Sequence, residues 1–81
     1  HSTAGPVSDE DESLFQRLRD LRKELADERR VPAYIVFSDK VLREMVARHP
    51  RSLDELLGVS GVGPAKLERY GEAFLQALQG G

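Results

Sequence analysis

Four basic side chains, Arg29, Arg30, Lys40 and Arg43, flank an apolar run from Val31 to Phe37, and their type and spacing suit them to electrostatic chemistry. A cluster of this kind can hold phosphates and position a nucleic-acid strand. The same residues also fit a solvated helix face with partners four residues apart, such as Lys40 with Glu44. Glu28 and Asp39 dilute the positive field. Bond-making chemistry has less to work with. Cysteine is absent, which excludes disulfides and thiolate metal sites. The two histidines are His1 and His49, and His49, before Pro50 at a helix end, suits a dipole partner better than a metal ligand. No serine or carboxylate pair has a base at a recognisable spacing. The stretch from Gly58 to Lys66 lacks the Gly-Lys-Ser/Thr ending of a phosphate-binding loop. A non-catalytic chain, with no metal and no cofactor of its own, is the expectation.

At 81 residues the chain fits one domain. A domain of this size buries only about 60% of the surface its unfolded chain exposes, which supports one core and no deep pocket. No apolar run approaches the roughly 20 residues that span a bilayer, and no secretory signal is evident. A soluble, monomeric, cytoplasmic domain is expected. The formal charge is −2, but four of the 14 acids form the run Asp9-Glu10-Asp11-Glu12. Residues 13–81 therefore carry 12 bases against 10 acids, a net +2. That supports weak phosphate contact and falls short of a dedicated nucleic-acid surface.

The elements that must position these charges are helical. Residues 1–11 are expected to be an appended remnant or linker, although Ser8 or Asp9 could cap a first helix and the acidic run could form its first turn. Leu14, Leu18, Leu21 and Leu25 recur at four, three and four, and Phe15 and Ala26 broaden that stripe. Arg17, Arg19, Arg22, Lys23 and Glu24 interleave it. Pro32 forces Val31 out of helical geometry. The run 31–37 reads as an extended connector over the core, because one strand without a partner forms no sheet. Ser38-Asp39 caps a second long helix with Val41, Leu42, Met45 and Val46 facing inward, stopping at His49-Pro50. Ser52 and Glu55 have capping-box spacing before a short helix with Leu53, Leu56 and Leu57. Val59 to Pro64 is a tight turn in which Gly61 and Gly63 allow angles or approaches a side chain would block. The last helix starts at Pro64 and shows Leu67, Tyr70, Phe74 and Leu78 on one face, with Gly71 permitting close packing. The expected core is Leu18, Leu21, Leu25, Leu42, Met45, Leu56, Leu67 and Phe74. The fold class is all-α, a compact bundle with four clear helices and a fifth if the connector or the glycine turn is helical. The domain is expected over 12–79, with 80–81 a tail.

The succession from Leu14 to Arg22, then Val31 to Asp39, Leu42 to Met45, Leu56 to Gly63 and Lys66 to Gly71, resembles the HRDC (helicase and RNase D C-terminal) domains of RecQ-type helicases. The run from Tyr34 to Asp39 and the Gly-Val-Gly turn are closer to the helicase branch than to RNase D. The resemblance implies a bundle of about five helices in an ATP-dependent 3′–5′ DNA helicase, nucleoid-associated through that parent. ATP and Mg are then needed by the parent's motor domains. It also implies that Tyr34 meets single-stranded DNA, where a ring face stacks on a base for about 1–3 kcal/mol. The alternative packs the ring against the first helix. Ala33 replaces a proline common at that place, which makes the connector less rigid. The turn through Gly61 and Gly63 is similar to helix-hairpin-helix motifs, whose amides approach a phosphate with a base such as Lys66 nearby. The alternative is an ordinary turn with Val62 plugging the core. Two functions follow: a module that weakly engages single-stranded or branched DNA, or an interaction module that docks on the helicase core or another domain.

Overall fold

The computed structural model describes residues 9–80, which form five helices. These are α1 (Asp9–Arg29), α2 (Ala33–Val36), α3 (Asp39–Arg48), α4 (Leu53–Leu57) and α5 (Pro64–Gly80). Helix α1 packs against α2, α3 and α5, and α4 lies on α5. The acidic run is the first turn of α1, where carboxylates complement the helix dipole. Helix α1 thus starts inside the stretch expected as linker, and α5 continues to Gly80. The expected Ser8 cap and residues 1–7 lie outside the described residues.

Leu18, Val36, Leu42, Met45, Leu56 and Phe74 are fully buried, and Phe37 sits edge-on to both Tyr70 and Phe74 at centroid distances of 6.0 and 5.0 Å. Leu21, Leu25 and Leu67, expected in the core, are only partly buried against it. The buried stripe of α1 instead runs through Leu14, Phe15, Leu18, Arg22 and Ala26, rotated from the leucine stripe. Of the three leucines on α4 only Leu56 is buried, because a helix of five residues on one neighbour hides one face.

The connector is not extended throughout. Ala33–Val36 makes one helical turn after Pro32, and Phe37 then returns to extended geometry. An extended run would put the adjacent Val36 and Phe37 on opposite faces. The turn buries both and turns Tyr34 and Ile35 outward. Helix α1 ends with Arg30 at φ 59°, where Arg30 N donates to Asp27 O and Val31 N to Ala26 O. This is a Schellman motif with arginine where glycine is usual. The Ser38 hydroxyl caps α3 by accepting from Val41 N, and His49 closes that helix in left-handed geometry. At α4 the Ser52 hydroxyl accepts from Glu55 N, but the Glu55 carboxylate accepts from Arg51 N, one residue before the partner a capping box requires.

Candidate nucleic-acid interface

Tyr34 is the second residue of α2, and 67% of its surface is exposed. Burial of the ring against α1 is therefore ruled out. Ile35 beside it is 43% exposed, so the turn presents an aromatic and an aliphatic side chain together. Arg29 and Arg30, both exposed, close α1 immediately before this turn. The connector residues Pro32 and Ala33 line a groove along α1 whose wall includes Arg19, Arg22, Lys23 and Asp27. Arg19 was not among the expected site residues, and it forms no ion pair among the described residues.

The remaining bases divide. Lys40, exposed in the first turn of α3, lines a separate groove with Val41, Glu44, Arg48, Ser60 and Gly61, which brings α3 and the glycine turn together. Its expected partner Glu44 instead takes Arg48 Nε at 3.0 Å. Arg43 is engaged: its guanidinium stands 3.7 Å from the centroid of Phe15, and its Nη1 lies 3.4 Å from Glu12. Lys66, partly buried in α5, holds its Nζ 5.7 Å from the Phe37 ring centroid. It therefore lies against the residue that follows the Tyr34 turn.

The two turn glycines differ. Gly61 has φ +95° and is packed so tightly on Val41 that a β-carbon would overlap Val41 Cγ2. Gly63 has no atom within 4 Å of a β-carbon and no positive φ, so nothing steric requires glycine there. Its carbonyl accepts from Leu67 N at the start of α5. Val59 and Val62 are buried, so the turn plugs the core, and Val62 N donates to Val59 O within it.

Arg22, expected among the interleaved charges, is the one buried charge among the described residues, at 8% exposure. One Nη1 donates to Phe37 O at 3.0 Å and stands 2.7 Å from Asp39 Oδ1. It joins the middle of α1 to the exit of α2 and the first residue of α3. The hydrogen bond from Arg22 and then its charge hold the Asp39 carboxyl below the ordinary aspartate value, with Arg19 and Arg43 adding to the effect. Arg22 Nε is buried without a partner. A signal existed in the sequence: Leu18, Arg22 and Ala26 recur at four, which places Arg22 on the buried stripe.

The family model of the HRDC domain matches residues 11–78, nearly all of the described fold. The chain belongs to the HRDC domain family. It is 49% identical over 76 residues to the ATP-dependent DNA helicase RecQ of Bacillus subtilis, covering 94% of this chain and 13% of that protein. The helicase of the same name from Pasteurella multocida is 45% identical over 73 residues, 90% of this chain and 12% of that protein. Among solved structures, the D. radiodurans RecQ HRDC domain 3 superposes with a TM-score of 0.84 at 40% identity, covering 86% of this chain and 92% of that one. The HRDC domain therefore spans about an eighth of the curated relatives it matches. Among the described residues, no helix of this HRDC domain is long and apolar enough to cross a membrane. No group of three or more His, Cys, Asp or Glu among them could hold a metal.

Proposed function

We propose that this HRDC domain is an accessory module of a RecQ-type, ATP-dependent DNA helicase and that it helps the enzyme engage single-stranded or branched DNA. The observation that carries the reading is the exposure of Tyr34 on a turn whose neighbours are basic. In this reading the ring stacks on an unpaired base. Arg29, Arg30 and Lys66 supply charge for the flanking phosphates, and Lys40 with the Gly61–Gly63 turn offers a second contact. Arg43 contributes least, because Phe15 and Glu12 already occupy it. ATP and Mg serve the motor domains of the parent protein, and those domains are the other natural partners of this module. The test is a titration of labelled single-stranded DNA with this chain at low and moderate salt. Binding that weakens steeply with salt supports the reading; absence of binding at low salt refutes it.

A further inference from the structure

Leu53 and Leu57 are 37% and 40% exposed, and with Pro64, Leu67 and Ala73 they line one groove between α4 and α5. The groove is built into the helix contact. A β-carbon at Gly71 would stand 3.2 Å from Leu53 Cδ2 and 2.9 Å from Leu67 Cδ1, so the missing side chain lets α4 seat directly on α5. The rim is acidic, with Glu68 and Glu72 against Arg69, and Asp54 follows Leu53 on α4. Glu68 and Glu72 are four apart on an exposed helix face, where like charges repel. Neither forms an ion pair among the described residues.

We propose that this groove docks a basic amphipathic helix. Apolar side chains at i, i+3 and i+4 of such a helix would cover Leu53, Leu57 and Leu67, and its lysines or arginines would meet Glu68 and Glu72 and relieve their repulsion. The acidic rim disfavours the two other occupants. A nucleic-acid strand would bring phosphates against two carboxylates. A second copy of this chain across a two-fold axis would set the same acidic rim against itself. The proposal does not depend on Tyr34 meeting DNA.

The test uses the isotope-labelled chain and two synthetic peptides of about 14 residues with leucines at i, i+3, i+4 and i+7. One carries lysine at the remaining positions and the other glutamate. The lysine peptide should shift the resonances of Leu53, Leu57, Leu67 and Ala73 saturably, and the glutamate peptide should not. Leu57→Ser should abolish those shifts, and the double variant Glu68→Gln with Glu72→Gln should weaken binding by about fivefold. Circular dichroism on each variant should show the native helix content, since all three side chains are exposed. Shifts confined to the Asp9–Glu12 run, equal binding of both peptides, or insensitivity to the Glu68 and Glu72 changes would overturn the proposal. So would a concentration-dependent dimer that the Leu57→Ser change dissociates.

Discussion

At the scale of single residues, Tyr34 and Arg22 have opposite lives. Tyr34 contributes a ring face to solvent and little to the core. Tyr34→Ala should therefore weaken single-strand binding by about 1–3 kcal/mol, with unfolding changed by no more than about 0.5 kcal/mol. Tyr34→Phe should keep most of the binding, since stacking uses the ring. Paired DNA titrations and thermal melts of both variants check this, and unchanged binding by the alanine variant would end the stacking role. Arg22 is internal, and its partner Asp39 confers a pH dependence. A carboxyl whose folded pKa lies below its unfolded one stabilises the fold above the unfolded value and loses that contribution as pH falls through the folded value. The wild-type chain should consequently be more stable than Asp39→Asn at neutral pH, and the two should converge in acid. Arg22→Met should remove most of the same acid-side dependence, leaving the smaller part due to Arg19 and Arg43. Melting temperatures taken across the acid range provide the measurement.

At the scale of elements, two residues of positive φ, Arg30 and Gly61, hold corners beside the candidate interface. Arg30 occupies the position after α1 where glycine is usual, at φ 59°. A non-glycine residue there costs about 1–2 kcal/mol, partly offset by the extra unfolded-state freedom of glycine. Arg30→Gly should thus stabilise the domain by about 0.5–1 kcal/mol while lowering its affinity for single-stranded DNA, a trade that a melt and a titration on one variant would reveal. The glycine turn separates its two glycines in the same way. Gly61→Ala should cost about 1–3 kcal/mol through its positive φ and the overlap with Val41, whereas Gly63→Ala should be close to neutral. Equal losses in chemical denaturation would refute the steric distinction.

At the scale of the whole molecule, charge limits what the domain does alone. Residues 13–81 carry a net +2, but the acidic run folds as the first turn of α1 and brings the domain to −2. Its affinity for single-stranded DNA should therefore lie at the weak end of the nonspecific range of about 10⁻⁴–10⁻⁶ M, falling as salt rises. A salt-insensitive nanomolar complex, measured by fluorescence anisotropy, would contradict this account of the surface. Under the proposed function weak contact would suffice, because tethering to a motor that holds the strand would raise the effective concentration of the domain.

The sequence by itself determined the helical class, most helix ends and the HRDC membership. The class and the helix ends follow from local rules: periodicity along α1, hydroxyl caps at Ser38 and Ser52, and breaks at Pro32 and Gly58, each written within a few residues. The family was legible only through the resemblance of the whole succession from Leu14 to Gly71. Tyr34 was legible as a candidate, but its exposure was not, since an apolar run between helices can bury any of its members. Only the tertiary structure decided that the run closes into one helical turn, which sends Val36 and Phe37 inward and leaves Tyr34 and Ile35 outside. It likewise turned the buried face of α1 from Leu21 and Leu25 toward Arg22. A charge is tolerated there because it meets Phe37 O and Asp39, contacts 15 and 17 residues away along the chain. No local pattern supplies such partners. The engagement of Arg43 by Phe15 and Glu12, and the acidic apolar groove of α4 and α5, depend in the same way on which faces meet once the helices pack.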